Sequence, residues 1–137
     1  MKYVFVDTNG WIALANKRDQ YHKAAVELNK SLLDRGCRYI TTNYILDETL
    51  TGILYRVGYA AAVDFGQKLR SSQVTTILFI SESLEEKAWQ LFCKFADKRF
   101  SFTDCTSFVI MEDRQSHDAF TNGHHFEQMG YTALMSS

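Results

Sequence analysis

Short apolar segments alternate with helical segments along this chain, and this alternation restricts its fold more than any other feature. Tyr3–Val6, Tyr39–Thr41 and Thr75–Ile80 are rich in apolar and β-branched residues, which favour strands. Two shorter segments, Asp118–Thr121 and Tyr131–Leu134, also read as strands. Apolar residues recur at helical spacing between them. Strands that alternate with helices predict an α/β fold with a parallel sheet.

Two helix starts are predicted from capping residues. Asn43 is the expected cap of a helix that runs to about Val57 and ends at Gly58. Leu50, Ile53, Leu54 and Val57 are the expected inner face of that helix. Thr103 is the expected cap of a later helix that carries Phe108, Val109 and Met111.

The length and composition favour one compact domain. The chain has 137 residues, of which 46% are hydrophobic, so we expect a single domain over residues 1–137. The formal net charge of -1 excludes a broad cationic surface as the basis of nucleic-acid binding.

The three cysteines are scattered along the sequence, which predicts reduced thiols. We find no secretion signal and no apolar stretch that could span a membrane, so a cytoplasmic location is expected.

Asp7 directly follows the first predicted strand and has two interpretations. Sites in open α/β sheets form beyond the carboxyl ends of the strands, which places Asp7 where it could reach a ligand. Asp is also a favoured helix cap, and Trp11 and Ile12 begin a predicted helix soon afterwards. The residue alone does not decide between the two roles.

Asp104 presents the same choice at the start of the helix predicted from Thr103. It shares a helix face with Phe108 and Met111, so its carboxylate points in the direction of the core. A carboxylate in that direction is costly unless it is paired or bound to a metal. The alternative is that an acid in the first turn stabilises the helix dipole.

Glu48 and Asp47 cannot be separated by helical periodicity. Glu48 lies nearly opposite the expected inner face of its helix, and Asp47 is no better placed. Read from the pattern alone, both are solvated charges rather than ligands.

A set of carboxylates without convergent His or Cys suits a hard divalent cation. Oxygen ligands favour Mg²⁺ or Mn²⁺, and Mg²⁺ retains several waters, so a few carboxylates suffice. Such an ion can activate water and stabilise a phosphate undergoing displacement. Without a metal, an acidic site would repel a phosphate backbone.

Four segments together resemble the PIN-domain family of the VapC toxin type. They are VFVDTNGWIAL at residues 4–14, TNYILDETL at 42–50, FTDCTSF at 102–108 and AFTNGHHFEQMGY at 119–131. Their order and separations match the family over nearly the whole chain. The resemblance implies a PIN-like three-layer fold, with a parallel sheet of about five strands between helices.

The resemblance also implies an activity and a set of site residues. The family's activity is Mg²⁺- or Mn²⁺-dependent cleavage of RNA, and its first three acids correspond to Asp7, Glu48 and Asp104. Thr8 and Ser107 fall where hydroxyls often support the ligands, although capping is an equal alternative. The expected partners are an RNA substrate, a VapB-type antitoxin and a second copy in a homodimer.

The last segment departs from the family pattern. Family members read Thr-x-Asp-x-His-Phe there, and Gly123 occupies the position of that fourth acid. Asn122 is one residue out of register and uncharged, so it is only a weak substitute. An alternative function is therefore a catalytically impaired PIN scaffold that binds RNA or antitoxin. A phosphatase with Asp7 as nucleophile is disfavoured because Asn9 stands where its second acid belongs.

Several other residues are weaker candidates. His125 and Phe126 are expected to anchor the last loop, and Cys105 is expected to be a small buried residue rather than a nucleophile. Six cationic residues are candidate phosphate contacts, although most are expected to be solvated surface: Lys17, Arg18, Lys23, Arg56, Lys98 and Arg99.

Overall fold

The computed structural model describes residues 2–135, so the domain predicted over 1–137 extends beyond the described residues at both ends. Five parallel strands form one sheet in the order β3-β2-β1-β4-β5. The strands are β1 (Tyr3–Val6), β2 (Arg38–Thr42), β3 (Thr75–Leu78), β4 (Asp118–Phe120) and β5 (Thr132–Ala133). The expected α/β class and parallel sheet are therefore confirmed.

Seven helices flank the sheet within residues 2–135. They are α1 (Thr8–Ala15), α2 (His22–Asp34), α3 (Asn43–Arg56), α4 (Tyr59–Arg70), α5 (Glu82–Lys94), α6 (Phe102–Asp113) and α7 (His124–Gln128). Helix α1 contacts α2 and α3, and α3 contacts α4, while α5 packs against α6. None of these helices combines the length and the apolar character needed to cross a membrane.

The central strand β1 determines where Asp7 lies. Val4, Phe5 and Val6 are fully buried, as expected for a strand covered on both faces. Val6 is in register with Phe120 of β4, so the next residues, Asp7 and Thr121, leave the sheet side by side. The backbone N–H of Asp7 donates to the Phe120 carbonyl at 3.3 Å, which extends the pairing by one bond.

The structure corrects the predicted start of α3. Thr42 rather than Asn43 is the cap, because the Thr42 hydroxyl accepts a hydrogen bond from the Ile45 N–H at 3.1 Å. The Asn43 side chain instead accepts from the Ile80 N–H at 2.8 Å and so ties the start of α3 to the segment after β3. The third strand ends at Leu78, two residues earlier than expected.

The predicted inner face of α3 is also partly wrong. Ile45, Thr49 and Ile53 are fully buried, whereas Leu54 and Val57 are exposed. The buried face of α3 is therefore rotated toward residue 48 relative to the predicted face. The rotation follows from the packing of α3, which contacts α1 on one side and α4 on another. This rotation removes the reason for placing Glu48 opposite the core.

Candidate active site

Asp7 is buried at the carboxyl end of β1. Its side chain forms no capping bond to α1, so the cap interpretation does not hold for the carboxylate, although the Asp7 carbonyl does accept from the Gly10 and Trp11 N–H groups. The Thr121 hydroxyl donates to Asp7 Oδ2 at 3.0 Å and lies 2.9 Å from Asn9 Oδ1. The carboxylate is therefore held by the neighbouring strand end.

Burial raises the pKa of Asp7 from 3.8 to about 7. This net shift includes smaller increases from the negative charges of Asp104 and Glu48, while the Thr8 N–H and the Thr121 hydroxyl lower the pKa. Negative charge at Asp7 is thus poorly compensated by the protein. A cation next to the carboxylate would supply the missing compensation.

Glu48 reaches the same region from α3. It is exposed, and the Thr8 hydroxyl at the start of α1 donates to Glu48 Oε1. The two helices approach closely at Gly52, where a Cβ would lie 2.8 Å from Ile12 Cδ1. Asp47 does not line the cavity that Glu48 lines. The geometry therefore separates the two neighbouring acids that periodicity could not separate.

Asp104 has a double role at the start of α6. The cap is Ser101 rather than the predicted Thr103, since the Ser101 hydroxyl accepts from the Asp104 N–H at 2.9 Å and Asp104 Oδ2 accepts from the Ser101 N–H at 3.1 Å. His125 Nδ1 also lies 3.0 Å from Oδ2. The carboxylate of Asp104 therefore caps α6 and lines the cavity at the same time. The three contacts fix the position of Asp104.

One cavity of about 520 Å³ brings the three acids together. It lies beyond the carboxyl end of β1 and is bounded by α1, α3 and the start of α6. Its lining consists of Asp7, Thr8, Asn9, Ile12, Glu48, Thr51, Gly52, Tyr55, Arg56 and Asp104. Acids from three distant parts of the chain therefore meet at the position where open α/β sheets place their sites.

Of the three residues expected to support the acids, only Thr8 lines the cavity. Ser107 is fully buried and its hydroxyl donates to the Thr103 carbonyl within α6 at 3.1 Å, and it does not line the cavity. Asn122 does not line it either, and its backbone N–H donates to Asn9 Oδ1 at 3.2 Å.

Sequence reasoning missed three contacts at this site. Thr121 holds Asp7, Asn9 contacts Thr121 and the loop after β4, and His125 contacts Asp104. The polar residue after β4 was a usable signal, because parallel strands all deliver their next residues to one edge of the sheet. The expected anchoring role of Phe126 agrees with its complete burial.

Gly123 lies next to this network. Its N–H donates to the Thr121 hydroxyl at 3.0 Å, and a Cβ at this position would lie 3.2 Å from the same oxygen and 3.6 Å from Asn9 Nδ2. An acidic side chain at residue 123 would therefore begin beside the groups that hold Asp7. The thiol of Cys105, next to Asp104 in the chain, is fully buried, and burial raises its pKa to about 11, which opposes a nucleophilic role.

The donor set matches a hard divalent cation that keeps much of its water. Within residues 2–135, no three His, Cys, Asp or Glu side chains are placed to ligate one ion directly. Mg²⁺ commonly binds through one or two carboxylates and several waters. Asp7 with one further acid would satisfy that requirement, and the remaining acid would act through water. The oxygen donors and the uncompensated charge at Asp7 fit such an ion.

Comparisons with known proteins agree with the fold and the motifs. The sequence model of the PIN domain matches residues 4–130. The chain is 33% identical over 131 residues to the 23S rRNA-specific endonuclease VapC20 of Mycobacterium tuberculosis, covering 96% of this chain and 97% of that protein. It is 30% identical over 110 residues to a VapC ribonuclease of Archaeoglobus fulgidus, covering 79% and 69% respectively.

Solved structures give the same result. The crystal structure of Mycobacterium tuberculosis VapC20, described as a Sarcin-Ricin loop cleaving toxin, matches with a TM-score of 0.87 at 32% identity and covers 94% of this chain and 96% of that one. VapBC2 from Rickettsia felis, bound to a DNA fragment from its promoter, matches with a TM-score of 0.68 at 16% identity, covering 97% and 96%. The second likeness shows the fold alone.

The resemblance seen in four sequence segments is therefore confirmed over almost the whole chain. The parallel five-stranded sheet, the family match and the identity to VapC20 all agree. This chain belongs to the PIN domain family and, within it, to the VapC-type ribonuclease toxins.

Proposed function

We propose that this chain is a single-domain, Mg²⁺- or Mn²⁺-dependent endoribonuclease and the toxin of a type II toxin–antitoxin pair. One observation carries the proposal: Asp7, Glu48 and Asp104 line one cavity, and the pKa of Asp7 is raised to about 7 by burial and by the other two charges. A site of this kind is unfavourable for the protein alone and favourable with a divalent cation bound.

In this proposal Asp7 is the main ligand, and Glu48 and Asp104 complete the site directly or through water. A bound divalent ion would supply an activated water and would stabilise charge on the reacting phosphate. The protein contributes positioning: Thr121 holds Asp7, and Thr8 holds Glu48. Fixed carboxylates lose little freedom when the ion and the substrate bind.

Asp104 is positioned by Ser101 on one side and His125 on the other. The orientation of its carboxylate therefore depends both on the start of α6 and on α7, which carries His125. Because the ring of His125 packs edge-on against Phe100 at 5.4 Å between centroids, the imidazole is itself held in place. The third acid is thereby oriented before any substrate arrives.

RNA cleavage tests the proposal. Purified protein is incubated with ribosomal RNA and Mg²⁺ or Mn²⁺, and the Asp7→Asn and Asp47→Asn variants are run beside it. We expect metal-dependent cleavage by the wild type and by Asp47→Asn, which alters an exposed acid outside the cavity, and a loss of about 100-fold or more in Asp7→Asn. Equal cleavage by all three proteins would refute the assignment.

The partners are proposed from the relatives. Two relatives are named VapC, and a structural neighbour is a VapBC assembly. We propose a VapB-type antitoxin that covers the acidic cavity, a homodimer of the toxin and a cytoplasmic location.

Light scattering tests the homodimer. A mass of twice 15.8 kDa is expected, and a stable monomer at all concentrations would contradict the dimer.

Gly123 supports a second candidate function. Without a fourth acid the chain could retain RNA or antitoxin binding and lack turnover. Calorimetric titration with Mn²⁺ distinguishes the two: metal binding by Gly123→Asp but not by the wild type favours the binding-only function. Metal binding by both proteins favours the nuclease.

A further inference from the structure

We propose that Tyr55 and Arg56 form a nucleotide subsite on the rim of the carboxylate cavity, which takes an unpaired, splayed-out base of the RNA and its phosphate. The inference rests on the proposed function, because it assigns side chains that hold the substrate at the same site. The stacking contact requires an unpaired base, since a base inside a duplex cannot reach a side-chain platform.

Tyr55 is an exposed aromatic residue that the fold does not use. Its side chain is 82% exposed, and within residues 2–135 it makes no ring contact and no hydrogen bond. Burying such a ring is favourable, so its exposure at a ligand cavity calls for a partner. Unpaired bases commonly stack on exposed aromatic rings next to a nuclease or RNA-binding groove.

Arg56 supplies the charge that the acidic wall lacks. Of the six cationic candidates named from the sequence, Arg56 alone lines the cavity. It is exposed and forms no ion pair within the described part of the chain. Its guanidinium suits bidentate contact with a phosphate.

The two residues occupy the last turn of α3, about two turns beyond Glu48 on the same helix. Because α3 packs closely on α1 at Gly52, the fold places the subsite at a defined position relative to the acids. The cavity volume of about 520 Å³ lies within the range of ~300–1,000 Å³ typical of small-ligand sites. A nucleotide beside the scissile phosphate fits this arrangement of one aromatic rim, one cation and an acidic floor.

The chain offers matched controls one helix away. Tyr59 is 75% exposed, and Arg70 is exposed as well, but both line a neighbouring groove between α3 and α4 that shares only Thr51 with the carboxylate cavity. Tyr59→Ala and Arg70→Gln therefore remove the same chemistry from the surface without altering the carboxylate cavity.

Binding is measured with the wild-type acids and with Ca²⁺ in place of Mg²⁺, so that a cation compensates the carboxylates and no turnover is required. The probe is an RNA hairpin with 2-aminopurine in its loop, compared with a fully paired duplex of equal length. We expect Tyr55→Ala to weaken hairpin binding by about tenfold and to abolish the loop fluorescence quenching. Tyr55→Phe, which keeps the ring, and Tyr59→Ala should behave like the parent.

Arg56→Gln is tested by the salt dependence of hairpin binding. We expect the slope of log affinity against log salt to fall by about 0.7, one phosphate contact on a single strand, and to be unchanged in Arg70→Gln. Equal effects of the Tyr55 and Tyr59 variants, or duplex binding as tight as hairpin binding, would overturn the subsite. These results do not depend on cleavage, so they remain distinct from failure of the nuclease proposal.

Discussion

At the scale of single residues, Thr121 is the contact on which the position of Asp7 most depends. Its hydroxyl donates toward Asp7 and Asn9 and accepts from the Gly123 N–H, all within a fully buried side chain. Replacing the hydroxyl with a methyl group leaves these buried groups without a partner.

We therefore expect Thr121→Val, which has nearly the same shape, to lower the free energy of unfolding by about 1–3 kcal/mol. Thr121→Ser keeps the hydroxyl and serves as the control, with a smaller loss from the missing methyl group. Urea titration measures both. Thr121→Val that is as stable as Thr121→Ser would show that the hydroxyl contributes little.

The raised pKa of Asp7 makes the stability of the metal-free protein dependent on pH. The unfolded state loses its proton near pH 3.8 and the native state near pH 7, so the native state binds the extra proton between these values. Stability contributed by the protonated carboxyl is present below about pH 4 and is lost as the pH rises through about 7. Asp7→Asn has no such dependence.

In metal-free buffer, Asp7→Asn should therefore exceed the wild type in stability by about 2–4 kcal/mol at pH 8, and the difference should vanish near pH 4. Chemical denaturation at several pH values measures this. A difference that does not change with pH would contradict the burial of an uncompensated charge.

At the scale of helices and strands, two glycines set how closely the elements around the site approach. A Cβ on Gly10 would lie 2.3 Å from the Phe120 carbonyl oxygen, whereas one on Gly52 would lie 2.8 Å from Ile12 Cδ1. The first neighbour is fixed sheet backbone and the second is the end of a side chain that can rotate.

Gly10→Ala is thus expected to destabilise the protein by about 3 kcal/mol or more, and Gly52→Ala by about 1 kcal/mol because the Ile12 side chain can rotate away. Thermal unfolding of the two variants gives the order. If Gly52→Ala were the more damaging, the junction of α1 with β4 would not be the tighter one.

Helices and strands were largely predictable, and their ends and faces were less so. The five strands follow from local apolar runs, and β1 was placed to the residue. The cap of α6 was missed because Ser101 and Thr103 are both favoured cap residues, and the reciprocal bonds of Asp104 select Ser101. The buried row of α3 depends on two neighbouring helices that no local pattern reveals.

At the scale of the whole molecule, the strand order explains why the site could be predicted only in part. Asp7, Glu48 and Asp104 were identified by resemblance to a family, and their common cavity agrees with that choice. Thr121 was missed because its role requires β4 to lie beside β1, and adjacency of strands far apart in sequence is not encoded locally. Ser107 was chosen by position and lies outside the cavity.

The low net charge and the single cationic candidate in the cavity predict a weak salt dependence of RNA binding. The net charge is -1, and among the six cationic candidates only Arg56 lines the cavity. RNA binding should therefore involve few phosphate contacts, and log affinity against log salt should have a slope of about −1 to −2. Fluorescence anisotropy over a salt series measures it. A slope steeper than about −5 would indicate an extended cationic surface elsewhere on the molecule.

We expect a divalent cation to bind at Asp7, between Glu48 and Asp104. Anomalous diffraction from a crystal soaked in Mn²⁺ tests it most directly. We predict a strong peak in the carboxylate cavity, about 2.0–2.2 Å from an oxygen of Asp7, and its absence in Asp7→Asn crystals soaked in the same way. A soaked wild-type crystal with no peak in that cavity, or with manganese bound only elsewhere, would contradict the account.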